Sequence, residues 1–320
     1  KVTVAADPSR VGYIFDGWLS DEAAPATYND PAQITMPAAD VKLTAQWTPA
    51  EVGYKVEHYF ENLGDAGFTK DATDDNLTGT TGENTNAVRR TVTGFSAAPD
   101  NNGQPTQKTI AAEGDTVVQL YYVRDRYTVT FKTETGGTIG GGTADVVIAN
   151  VPHGTLWSTI TVPTLANSAG YQFDKWDSSL PAGTDAITTN LEFTAKWAPL
   201  YKVTYDANGG TGGTFADAEQ VAGSYTVLDN GDGFTPFAKA NHTFAGWNTQ
   251  ADGEGTSYAA GDEFTLNANT TLYAVWKEDA KYELSYDLGY DGAPTPPTGG
   301  EYYEGDKVTV AADPSRVGYI

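Results

Sequence analysis

The fourteen residues Lys1–Ile14, KVTVAADPSRVGYI, recur unchanged as Lys307–Ile320, an offset of 306 residues. Repetition of this kind constrains a fold more than length does, because a long period built of smaller units means small modules in series rather than one large core. The stretch between the two copies is itself divided. Residues 1–48 contain GYIFDGW (Gly12–Trp18) and close on MPAADVKLTAQW (Met36–Trp47). Residues 127–198 repeat the plan with GYQFDKW (Gly170–Trp176) and LEFTAKW (Leu191–Trp197), and residues 201–279 with NHTFAGW (Asn241–Trp247) and TTLYAVW (Thr270–Trp276). The two tryptophans stand 29 positions apart in the first and last of these and 21 apart in the middle one.

The closing segments have strand periodicity. Val41, Leu43, Ala45 and Trp47 alternate with Asp40, Lys42, Thr44 and Gln46, the period of two of a strand with one buried face. Pro49 then ends the ladder. An aromatic content of 12% beside many Val and Thr favours strands as well. The expected fold class is therefore mainly β, as tandem small modules in an elongated array.

Residues 51–126 form a second kind of unit, without tryptophan. YKVEHYF (Tyr54–Phe60) and TVVQLYYV (Thr116–Val123) read as its outer strands, RRTVTGFS as a middle strand, and NLTGTTGENTN and PDNNGQP as turns. In residues 127–198, YTVTFK opens, the glycines from Gly136 to Gly142 make a turn, and VVIANV and LWSTITV supply central strands. Residues 281–320 begin another Trp unit with KYELSYD, and residues 281–306 joined to 1–48 have the length of a whole one. The chain is thus expected to start and stop inside the same module. Either a covalent array continues beyond both ends, the preferred expectation, or separate chains complete one another by strand exchange.

An opening YxVTF/YD strand, a GYxFxxW motif and a terminal TLxAxW strand, in fixed order, resemble the Listeria–Bacteroides repeat of bacterial surface proteins, a relative of the internalin B-repeat. The resemblance covers the three Trp units, with two departures: Asn241-His242 replaces Gly-Tyr, and residues 127–198 have a shortened second half. Residues 51–126 look like a mucin-binding-protein-type module in their outer strands and TGF motif. The resemblance implies small β-grasp-type modules on the bacterial cell surface, outside the cell. It further implies a stalk, filament or spacer that displays an adhesive tip, with neighbouring copies of the repeat as partners; the alternative is an adhesin binding mucin-type glycan or a host surface protein.

Composition excludes other roles. Forty-two acidic against 19 basic side chains give a formal charge of −23, the opposite of what phosphate-backbone binding needs. With no cysteine there is neither disulfide framework nor thiolate metal site. No apolar run reaches the length of a membrane span. No HExxH, GxSxG or P-loop is present, so no enzyme and no cofactor are expected. His58, His153 and His242 stand one per unit and are expected to be structural. Asp229 and Asp232 in DNGDG, with Asn230 and Gly233, and Asp71, Asp74 and Asp75 in DATDDN offer hard oxygens for calcium; they lack EF-hand spacing, and turn chemistry explains both runs. Lys55, Lys202 and Lys281, on opening strands, are candidates for an intramolecular isopeptide bond by analogy with surface stalks.

The expected core comprises Trp18, Trp47, Trp176, Trp197, Trp247 and Trp276, with Phe15, Phe173, Phe244, Leu43, Phe193 and Leu272. If Trp276 is core, its replacement by alanine should cost roughly 3–5 kcal/mol. Trp157, Tyr59, Tyr273, Tyr302 and Tyr303 fall outside the pattern and are surface candidates for glycan contact.

Overall fold

The computed structural model describes residues 1–29, 32–313 and 315, so most of the second KVTVAADPSRVGYI copy after Asp313 lies outside the described residues. Among the described residues the fold is mainly β, in many small sheets, with two short 3-10 turns at Asn101–Gly103 and Trp157–Thr159 and no α-helix. No helix is therefore long and apolar enough to cross a membrane. The chain separates into two compact units. One comprises Lys1–Phe131, Asp145–Pro163 and Ser178–Phe193; the other comprises Lys132–Ala144, Thr164–Asp177 and Thr194–Ile320.

In the first unit, Tyr13–Ser20 lies between Thr27–Tyr28 and Leu43–Pro49, both antiparallel to it, while Val2–Thr3 pairs separately with Gln33–Ile34. Phe15 meets Trp18 and Trp47 edge-on, with centroids 5.5 and 5.3 Å away. Glu51–Glu61 and Thr116–Arg124, expected as outer strands, instead run parallel at the centre of a five-stranded sheet. Phe68–Lys70 and Asp75–Thr80 flank the first of them and Phe95–Ala97 the second. The first and last strands of the segment are thus neighbours, a non-local pairing that periodicity does not reveal. Of the expected RRTVTGFS strand only Phe95–Ala97 forms, because Gly94 turns the chain at φ 78° just before it. Tyr54, Val56 and His58 point inward with Val118, Leu120 and Tyr122, all buried. Alternation puts Glu57, Tyr59, Gln119 and Tyr121 on the opposite face, half-buried.

Also in this unit, residues 126–131 of the Arg126–Thr133 strand pair antiparallel with Val146–Pro152. LWSTITV is not a strand; Trp157–Thr159 is a 3-10 turn. That turn swings Trp157 inward against Phe131 and Phe193, at 6.2 and 5.4 Å, leaving it 6% exposed. Trp157 is therefore a core residue and not a surface candidate.

In the second unit, Tyr171–Trp176 pairs with Leu191–Tyr201, and Gly137–Ile139, within the glycine run expected to turn, is a strand on Leu165–Asn167. Glycine is required at 136 and 137 because a Cβ at either would stand 2.5 Å or less from the Trp197 side chain. Downstream, the order is Thr214–Ala216, Val203–Asp206, Thr270–Glu278, His242–Asn248, Ser257–Tyr258, again with opening and closing strands parallel. Gly223–Thr226 and Glu263–Leu266 make a second small sheet. Between them lie Tyr205, Tyr225, Trp247, Leu266 and Leu272, all buried. Lys281–Leu284 pairs with Gly300–Tyr303.

Candidate functional site: the joints between strand groups

At four places the closing strand of one group leads almost directly into the opening strand of the next. Ala50 alone separates Leu43–Pro49 from Glu51–Glu61, Asp125 separates Thr116–Arg124 from Arg126–Thr133, Lys202 separates Leu191–Tyr201 from Val203–Asp206, and two residues separate Thr270–Glu278 from Lys281–Leu284.

Each place is fastened in the same way. The backbone N–H of Ala50 donates to the carbonyl of Gly12, that of Asp125 to Gly94, that of Leu200 to Gly170 and that of Asp279 to Asn241, at 2.8 to 2.9 Å. The four acceptors all have positive φ, between 59° and 78°, and each immediately precedes the strand that pairs with the closing strand. Glycine adopts this conformation freely, and asparagine is the residue that best replaces it. The Asn241-His242 departure from Gly-Tyr therefore keeps the backbone geometry. The same fastening serves the unit without tryptophan, through Gly94-Phe95. Sequence reasoning missed these residues as a set; the signal was a glycine or asparagine immediately before the second inner strand in every unit.

Side chains reinforce the joint at Asp125. Arg124 donates its backbone N–H to the Glu61 carboxylate (2.7 Å), its Nε to the Glu61 carbonyl (3.0 Å) and its Nη1 to the His153 carbonyl (2.9 Å). Its guanidinium lies 4.8 Å from the centre of the Phe95 ring. Arg126 Nη2 closes on the other Glu61 oxygen at 2.5 Å, and the Ser96 hydroxyl donates to Asp125. His153 packs directly over Gly94, where a Cβ would stand only 2.1 to 2.3 Å from imidazole ring atoms. At the joint near Ala50, a Cβ on Gly12 would stand 2.6 Å from Ala112. At the last joint Tyr303 and Lys281 both donate to Glu278, holding its carboxyl below the usual range.

The other sequence candidates are dispersed. Asp71 and Asp75 are ion-paired to Arg90 at 2.7 and 2.5 Å, and Asp74 to Lys70 at 3.1 Å. Asp229 and Asp232 are exposed on a tight turn, while the Asn230 side chain clasps both backbone groups of Phe237 at 2.8 and 2.9 Å. Among the described residues no group of three or more His, Asp or Glu is placed to hold a metal. Lys55 and Lys202 are exposed, and Lys281 is engaged by Glu278. Trp197, Phe193, Trp247 and Leu272 are buried, whereas Trp18, Trp47, Trp176, Trp276, Phe15, Phe173, Phe244 and Leu43 are half-buried. Tyr59 stacks on Tyr121 at 4.9 Å with Phe68 edge-on to Tyr121 at 5.1 Å, a half-exposed aromatic group; Tyr273, Tyr302 and Tyr303 are half-buried elsewhere.

Residues 127–196 and 201–275 match the model of the Listeria-Bacteroides repeat domain, and residues 1–51 that of the divergent InlB B-repeat domain. Three stretches of the chain match bacterial repeat families. A protein of Evansella cellulosilytica named "Putative membrane protein" is 29% identical over 185 residues, covering 53% of this chain and 25% of the relative. A second from the same organism, named "Putative Gly-rich membrane protein", is 25% identical over 200 residues, covering 55% of this chain and 22% of the relative. The chain thus spans about a quarter of the length of these curated relatives.

Proposed function

We propose that the chain is a structural stretch of a bacterial cell-surface protein, lying outside the cell, whose β-modules are set in series to space and display other parts of that protein. Its modules are residues 51–126, 127–198 and 201–279, with 1–48 and 281–320 as parts of a further one. The role is mechanical and geometric rather than catalytic. The observation that carries it is the repeated joint: four boundaries, in units of two sequence types, have linkers of only one or two residues and share one hydrogen bond to a positive-φ residue. A flexible tether needs none of this; a spacer that holds its modules in fixed succession does. The parallel pairing of opening and closing strands supports the β-grasp-type reading.

Gly94→Val tests the joint. A branched side chain cannot sit at φ 78° beneath His153, so the contact should open while the central pair Glu51–Glu61 and Thr116–Arg124 keeps its buried face. Trypsin should then cleave at Arg124 or Arg126 much faster in the variant than in the wild type. Equal cleavage rates would remove the joint as a rigid element.

A second reading rests on the Tyr59–Tyr121–Phe68 group, bordered by Glu57, Gln119 and Lys70 on the sheet face opposite the core. Such a face suits direct adhesion by 51–126 to a mucin-type glycan or a host protein. Silence of the whole chain on an array of such glycans would eliminate the glycan form of it.

A further inference from the structure

In residues 201–279 the chain between the two tryptophans begins with a turn, residues 249–256, that its own side chains make rigid. Asn248, 1% exposed, donates from Nδ2 to the carbonyls of Gly253 and Gly255 at 3.0 and 3.2 Å, and its Oδ1 accepts the N–H groups of Gln250 and Gly255 at 2.8 and 3.0 Å. A second turn, residues 207–210, follows the opening strand Val203–Asp206. Asn208 ties it to the first turn and to the closing strand, because Nδ2 donates to the Ala251 carbonyl at 2.8 Å and to the Ala274 carbonyl at 3.0 Å. Trp276 ties it again, through the indole N–H on the Ala207 carbonyl at 2.8 Å. Between the two turns and the closing strand lies a cavity of about 290 Å³, lined also by Lys239 and Asp252.

The groups around this cavity keep bonding capacity that the fold does not use. Both amide protons of Asn208 are engaged, which fixes the side chain and leaves Oδ1 as an acceptor. The indole N–H of Trp276 is engaged too, so this half-buried residue offers only its ring. Asp252 accepts the Glu254 N–H on one oxygen at 3.0 Å and keeps the other. Lys239 is half-buried, and among the described residues its ammonium is in no ion pair or hydrogen bond. In residues 127–198 the corresponding groups are paired off. There Trp197 donates to the Thr133 hydroxyl at 2.8 Å, as Trp276 does to Ala207, and Glu134, which follows Thr133, is ion-paired with Lys196. Residues 201–279 have Asn208 and Val275 at those two positions, so no such pair forms.

We infer that this cavity binds one neutral pyranose residue of a glycan. One cation and one carboxylate lining the same small space disfavour both an anionic and a cationic ligand, and the formal charge of −23 adds to the exclusion of anions. A neutral polyol with an apolar side meets every free group: its hydroxyls accept from Lys239 and donate to Asp252 and to Asn208 Oδ1, and its C–H groups rest on the indole. The volume is just below the roughly 300 Å³ at which cavities take drug-sized ligands, which leaves room for a single sugar ring. Because the turns are already fastened, binding orders no loop. The site is in a different module from the Tyr59–Tyr121–Phe68 group, and it stands whether or not the modules serve as a spacer.

Saturation-transfer NMR of the whole chain, titrated with glucose, galactose, mannose and N-acetylglucosamine, tests the site. Transfer to the ring protons of one or more of these sugars is expected, and none to the anionic N-acetylneuraminate. Lys239→Ala and Asp252→Ala should each weaken binding about tenfold or more, since each removes a hydrogen bond to a charged group. Neither side chain supports the core, so both variants should keep the wild-type unfolding transitions. Tyr59→Ala, in the 51–126 module, should leave the transfer unchanged, which separates this site from adhesion through that face. Absence of transfer to all four neutral sugars would overturn the inference. So would transfer that survives Lys239→Ala or Asp252→Ala, transfer abolished by Tyr59→Ala, or equal transfer to N-acetylneuraminate.

Discussion

Replacing Trp247 by alanine is expected to destabilise the 201–278 segment by about 3–5 kcal/mol, the range for truncating a buried tryptophan. The side chain is fully buried and packs edge-on to Tyr205 and Phe244, at 4.7 and 4.9 Å. Its N–H holds the Leu228 carbonyl, so the variant leaves both a cavity and an unpaired acceptor. Trp276 is only half-buried, and its own N–H donates to Ala207 at 2.8 Å. Its truncation should therefore cost less than that of Trp247, although the sequence pattern singled Trp276 out. Calorimetry of the full chain checks both, since one transition should move and the others remain. An unshifted profile for Trp247→Ala would contradict the assignment of this core.

His58→Ala is expected to be nearly as damaging to 51–126, by about 3 kcal/mol or more, because it breaks a buried polar network and not only a packing contact. His58 is fully buried, with Nδ1 2.7 Å from the Tyr122 hydroxyl and Nε2 3.0 Å from Asp75. The Tyr122 oxygen already accepts the backbone N–H of Arg90 at 2.8 Å, so its proton goes to Nδ1, and Nε2 donates to the carboxylate. Arg90 then closes the ring by donating to the other Asp75 oxygen at 2.5 Å. Removing the imidazole strands the Tyr122 hydroxyl and takes a donor from Asp75. A loss below about 1 kcal/mol in denaturant unfolding would show the network to be dispensable.

The same ring sets an acid limit. Arg90 above all, and His58 after it, hold the Asp75 carboxyl below its usual range against the opposing effect of burial. The folded pKa lies below the unfolded value of about 3.9, so the stabilisation is complete above that value and fades as pH falls through the folded one. The 51–126 transition should therefore soften below about pH 4, and Asp75→Asn should flatten that dependence.

Local order was legible where one face of a strand is buried. The alternation up to Trp47 and the composition of Tyr54–Phe60 marked strands, Leu43–Pro49 and Glu51–Glu61, whereas the tryptophan pattern did not separate the buried Trp197 and Trp247 from the half-buried Trp18, Trp47, Trp176 and Trp276. Three things were not legible. Central against outer position depends on parallel pairing across some sixty residues, as between Tyr54 and Thr116, which leaves no local trace. Trp157 is buried because a 3-10 turn, not a strand, carries it inward. The joints depend on backbone conformation at Gly12, Gly94, Gly170 and Asn241, and become visible only when the paired linker residues are known.

Small-angle scattering of the intact chain, at concentrations low enough to suppress association, tests the serial arrangement most directly. A compact body of this length would have a radius of gyration of about 20 Å. A value well above that is expected, with a distance distribution that tails far beyond its maximum and changes little with salt. A radius near 20 Å with a symmetrical distribution would contradict modules held in succession by fixed joints.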